Sequence, residues 1–112
     1  MPYVNCTNHE ITVEIDDLLV IMPPSGNVAR MVLRQELVEI IDSIPVYNAI
    51  PPTEVKGLPD PLPNVIYITS AHVAQFAGRP DVVCPNNAPD QCSRDSSGKV
   101  TAVKSFLRYY HG

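Results

Sequence analysis

Hydrophobic and polar positions alternate with a period of two through much of this chain. Ile11, Val13 and Ile15 are separated by Thr12 and Glu14, the pattern of a strand with one buried face. Asp16-Asp17 supplies a turn and residues 18–22 return as a more apolar strand, so residues 10–15 and 18–22 are expected to form a hairpin. Pro23-Pro24-Ser25-Gly26 ends it, with Gly26 free to take a positive φ and Ser25 able to bond a neighbouring amide. Residues 28–41 fit two periods. Leu33, Leu37, Ile40 and Ile41 lie at helical spacing, whereas Val28, Arg30, Val32 and Arg34 alternate with Ala29, Met31 and Leu33 as in a strand. Enrichment in Val, Ile and Met, and the Asp42-Ser43 break before Ile44-Pro45-Val46-Tyr47, favour a long strand over 28–40 turning into another over 44–49, with a helix as the alternative.

Residues 51–64 read as an extended Pro-rich loop that Val55 and Leu58 pin to the core. A strand buried on both faces follows at 65–69. Ser70 is a natural N-cap for a short helix over 71–77 ended by Gly78, a helix too short to stand without packing on the sheet. Residues 85–93 read as loop, and a turn at 95–98 leads into a final strand over 99–109. The expected core is Ile11, Val13, Val20, Val32, Val46, Ile66, Ile68, Val73 and Phe76. The fold class is therefore α+β: a β-rich single domain over 1–112, a mostly antiparallel sheet or partly open barrel of about six strands with one short helix.

Composition narrows the function classes. The chain has 112 residues, enough for one core, and a net charge of −4. Its eight Lys and Arg are scattered, which argues against a duplex nucleic-acid surface, since phosphate recognition needs clustered cations. No apolar run approaches the length of a membrane span and no charged segment precedes an apolar one at the start, so the expectation is a soluble protein of the host-cell cytoplasm. Twelve prolines exclude long helices and favour strand edges and rigid loops.

Three cysteines give an odd count. Cys84 and Cys92 flank a loop that a disulfide can close, but without a secretion signal reduced thiols are expected, and serine in both places should be a mild change. Zinc on Cys6, His9, Cys84 and Cys92 would lack the close Cys pair of structural sites, so no metal and no cofactor are assigned. Ser70 with His72 suggests a nucleophile and base for a small hydrolase. Yet residues two apart at a helix start point in different directions, His9 sits in a polar lead-in typical of surface histidines, and no orienting carboxylate is identifiable; no catalytic residues are assigned.

The arginines offer another chemistry. Arg30, Arg79 and Arg94 each carry a planar fork that matches phosphate or carboxylate, and together they would form an anion site in an acidic protein. Tyr67, Tyr109 and Tyr110 offer faces for a base to stack on. The competing reading is that Arg79 braces Asp81 across its own turn and Arg94 does the same beside Asp95.

The motifs Asn5-x-Thr7-x-His9, Pro24-Ser25-Gly26-x-x-Ala29-Arg30, Gly57-Leu58-Pro59, Tyr67-Ile68-x-Ser70, Arg79-x-Asp81 and Arg94-Asp95-x-x-Gly98 occur in this order. Over nearly the whole chain, the pattern resembles a family of small uncharacterised proteins of bacteriophages and their bacterial hosts. That resemblance implies a phage-associated origin and one compact domain, and nothing catalytic; Cys84 and Cys92 lie outside its pattern. Two non-enzymatic classes follow. One is a binding module that captures a small anionic ligand, such as a nucleotide signal of host defence, with His9, Arg30, Tyr67, Ser70, Arg79, Asp81 and Arg94 as the candidate site. The other is an acidic inhibitor that covers a host defence protein, using Pro-rich loops and the Tyr109-Tyr110 end. Edge strands in so small a sheet also favour a homo-oligomer. Arginines that prove to lie apart, or an Arg79 fully engaged by Asp81, would favour the second class over the first.

Overall fold

A computed structural model describes residues 2–110. The strands are β1 (Tyr3–Asn5), β2 (Ile11–Ile15), β3 (Leu18–Met22), β4 (Arg30–Met31), β5 (Arg34–Ile41), β6 (Ile44–Ile50), β7 (Val55–Lys56), β8 (Ile66–Ile68), β9 (Val82–Pro85), β10 (Cys92–Arg94), β11 (Val100–Val103) and β12 (Phe106–Leu107), with one helix, α1 (Ala71–Ala77). The fold is a β-rich α+β domain of mixed sheets that do not close into a barrel. One sheet has the order β1-β8-β9-β12, a second β10-β11-β2-β3, and β4-β7 and β5-β6 form separate two-stranded ribbons.

The first sheet is the middle layer, because its two central strands alternate between two cores. Tyr67, Val82 and Cys84 pack with Val73 and Ala74 of α1, together with Cys6 and Ala29. Ile68 and Val83 face the other way, onto Ile11, Val13, Met22, Cys92 and Val103 of the second sheet. This explains why residues 65–69 are apolar without alternation: both faces are covered.

The short helix forms as its caps dictate. Ser70 Oγ accepts from the Val73 amide at 3.3 Å, and Gly78 takes the left-handed conformation at φ 57° while its amide bonds Ala74 O. Both expected hairpin turns also form. Asp16 and Asp17 have φ of 48° and 66°, Asp42 and Ser43 φ of 49° and 68°, so each closes its hairpin as a two-residue type I′ turn.

Residues 28–41 are strand and not helix, but not one strand. The run breaks at Val32-Leu33: β4 pairs with β7, and β5 pairs only with β6. β7 lies in the segment expected to be loop, and Gly57 beside it allows this approach, since a Cβ there would stand 2.2 Å from Val28 O at a φ of 82°. Twelve strands among the described residues replace the expected six: the runs 28–40 and 99–109 each divide in two, β11 and β12 joining different sheets, and β1, β7, β9 and β10 form where no strand was expected, β10 at the end of the 85–93 segment read as loop.

The expected core needs correction in three places. Ile11, Val13, Ile68 and Val73 are buried; Val20, Ile66, Val32 and Val46 are all half-buried, the first two against the second core and the last two in neither core; Phe76 is 43% exposed. Val46 lies on β6, outside both cores. The β5-β6 ribbon projects as an arm, and the radius of gyration of 16.8 Å exceeds the roughly 13 to 14 Å of a compact chain of this length.

Candidate functional site

The conspicuous sequence motifs turn out to hold the fold. Asn5, 3% exposed, donates from Nδ2 to Met22 O at 2.9 Å and to His9 O at 3.0 Å, tying β1 of one sheet to β3 of the other. Its Oδ1 accepts from the Thr7 amide at 2.9 Å, and Thr7 Oγ1 lies 2.7 Å from it and 2.9 Å from His9 O. All of the Asn5 carboxamide is thereby satisfied, as a buried amide requires. The loop after β1 is fixed, and Asn8, His9 and Glu10 are left exposed on it. The Pro24-Ser25-Gly26 turn is anchored likewise, with the Ser25 amide on Asn5 O and the Ala29 amide on Cys6 O, both at 2.9 Å.

The three arginines do not form one site. Arg79 clasps Asp81 through Nε to Oδ1 at 2.9 Å and Nη2 to Oδ2 at 2.6 Å, and its guanidinium lies 5.8 Å from the centre of the Tyr67 ring. The hydrogen bond to Asp81 raises the Arg79 pKa and the same contact holds the Asp81 carboxyl below its ordinary range. The Nε–Nη2 edge of the guanidinium is thus committed to Asp81, and Arg79 braces its own turn. Arg94 donates to Gly98 O at 2.8 Å on the β10-β11 turn. There Asp95 accepts from Ser97 Oγ at 2.6 Å and from the Ser97 and Lys99 amides, which lowers its pKa. Tyr67 is buried with its hydroxyl on Asp60 O at 3.1 Å and offers no face for stacking. Tyr109 is half-buried against the core, and Tyr110 is exposed.

Of the candidate residues, His9, Arg30 and Ser70 do come together. They line an open groove of about 1100 Å³ bounded by the loop after β1, β4, the start of α1 and β11. Glu10, Asp95 and Lys99 share its wall. Arg79, Asp81 and Arg94 do not line it, whereas Lys99, which sequence reading passed over, does. Lys99 had no signal beyond its place after a turn.

The thiols lie in the core. Cys6, Cys84 and Cys92 are free and buried, and burial pushes the Cys6 and Cys84 thiols up, so neither is poised as a thiolate nucleophile or ligand. Among the described residues no group of three His, Cys, Asp or Glu is arranged to hold a metal, and no helix is long and apolar enough to cross a membrane.

The arm is the second unusual surface. Leu37, Ile40, Ile41, Ile44 and Tyr47 all stand half or more exposed, as do Leu18, Leu19 and Ile21 on β3, the edge strand of the second sheet. Exposed apolar side chains so grouped mark interaction surfaces. Comparison with known protein families, with curated proteins and with solved structures finds no match.

Proposed function

We propose that the chain is a non-enzymatic, acidic docking protein that acts by covering the surface of another protein. In the phage setting implied by its motif resemblance, this is the role of an inhibitor of a host defence protein. The observation that carries the reading is the β5-β6 arm: seventeen residues (34–50) whose strands, among the described residues, pair only with each other and most of whose apolar side chains face solvent. An isolated two-stranded ribbon is marginal in water, and leaving Leu, Ile and Tyr uncovered forgoes the burial that would stabilise it. Such an element is completed by a partner. Arg79 rests on Asp81 and, like Arg94, does not line the groove where Arg30 stands, which speaks against a three-arginine anion site and so against ligand capture.

A second reading rests on the groove. Arg30 and Lys99 stand on its wall with His9, and the one ion pair among the described residues lies elsewhere, at Arg79–Asp81. A small anionic ligand such as a nucleotide would find two cations there, beside the carboxylates of Glu10 and Asp95 on the same wall.

Native mass spectrometry of the protein recovered from infected cells separates the two. Docking predicts a co-purifying foreign chain that is lost from the Ile41→Lys/Ile44→Lys variant at the arm tip. Ligand capture predicts a small-molecule adduct that survives that variant and is lost with Arg30→Ala.

A further inference from the structure

The two faces of the arm differ in kind. Side chains alternate along each strand and residues directly opposite share a face. The register Ile41↔Ile44, Ile40↔Pro45, Glu39↔Val46, Leu37↔Tyr47, Glu36↔Asn48, Gln35↔Ala49 and Arg34↔Ile50 therefore sorts the paired residues between two faces, with Val38 left out at a bulge between Leu37 and Glu39. One face carries Leu37, Ile40, Pro45, Tyr47, Ala49 and Gln35, without a single charge. The other carries Arg34, Glu36 and Glu39 among its apolar residues. Ile40 is 66% exposed and Tyr47 53%.

We infer that the uncharged face of the arm is covered by a second copy of this chain, two arms packing face to face about a two-fold axis. The inference rests on reading the arm as a docking element and names its first partner; the charged face and β3 stay outward for a foreign one. Charge pattern, area and edge geometry fit a second copy on this face. At a net charge of −4 copies repel each other, so a contact between them must add no like charge, and the uncharged face is the one that meets this condition. On the opposite face Glu36 and Glu39 would confront their own images.

The area is sufficient as well. A face about 27 Å long offers on the order of 500 Å² per copy, so about 1,000 Å² for the pair, the level at which a specific interface becomes sustainable. Edge geometry disfavours open-ended growth. Ile41 and Ile44 close the turn as a hydrogen-bonded pair, so the next pair, Ile40 and Pro45, directs its backbone groups outward. Pro45 has no N–H to offer, so the outer edge of β6 is blunted near the tip. Face-to-face packing closes at two copies, where edge addition would run on.

Sedimentation of the purified full chain across a dilution series tests this, with Ile40→Lys on the uncharged face and Glu39→Lys on the other. The expected result is a dimer for the parent and for Glu39→Lys, with the Ile40→Lys dimer weakened at least about tenfold, since symmetry makes each substitution act twice. Amide exchange of β2 checks that the cores remain folded, and Leu37→Lys serves if Ile40→Lys does not fold. A parent that stays monomeric overturns the second copy as partner while leaving the docking reading to the infected-cell experiment. A dimer indifferent to both lysines, or an open polymer, overturns the face-to-face pairing.

Discussion

The two hairpins of this protein begin from nearly the same local instructions and end differently. Each joins its strands through a two-residue turn with both central residues left-handed, Asp16-Asp17 in one and Asp42-Ser43 in the other. Each alternates apolar with other side chains. In β2-β3 the alternation delivers Ile11 and Val13, 5% and 4% exposed, to a core shared with the middle sheet. In β5-β6 it delivers Leu37, Ile40 and Tyr47 to solvent. Turn chemistry and period define a hairpin. What covers it is decided by the rest of the chain, and among the described residues no other strand pairs with the arm.

The difference should be largest in the response to truncation. Ile11→Ala removes a buried side chain between two sheets and is expected to cost about 2 to 4 kcal/mol in denaturant unfolding, whereas Ile40→Ala under conditions that keep the protein monomeric should cost no more than about 0.5 kcal/mol. Equal costs would mean that the arm has a core of its own. The join between arm and body is sensitive for a different reason. Gly57→Ala places a Cβ 2.2 Å from Val28 O at a positive φ, and the β7-β4 ribbon must give way, at a cost of about 2 kcal/mol or more by the same measurement.

Smaller effects sharpen the contrast from the body's side. Cys84→Ser leaves a hydroxyl in the core against α1 and should cost about 1 to 3 kcal/mol, more than the mild change its sequence context implies, because the thiol is buried. The Arg79–Asp81 clasp, each side chain about a quarter exposed or less, should contribute about 1 to 2 kcal/mol. The folded Asp81 pKa lies below its unfolded value, so that contribution is complete above the ordinary carboxylate range and fades as pH falls through the depressed folded value. Asp81→Asn should flatten this acid limb of the stability curve. The arm, with no such pair, should be indifferent to it.

Local rules were legible in the sequence. The helix and both its caps, the two turns, the doubly buried run at 65–69 and the Arg79–Asp81 brace follow from residue type and spacing. Long-range pairing was not. Nothing in residues 28–41 indicates that the strand breaks at Val32-Leu33 to leave one partner for another, and two-residue strands such as β4 and β7 have no period to detect. The same limit governs the site. Ser70, His9 and Arg30 converge on the groove through folding, while Arg79 and Asp81, the conspicuous charged pair of the 63–85 segment, bond each other and do not line it. Val46 and Phe76 looked like core because alternation and apolarity cannot distinguish a covered face from one awaiting cover.

Amide hydrogen exchange followed across protein concentration tests most directly whether the arm is folded outside its own core and completed by another chain. The result expected is strong, concentration-independent protection in β2, with protection in β5 that rises with concentration toward that of β2. Strong protection of β5 at the lowest concentration would contradict it, since the arm would then be stable alone.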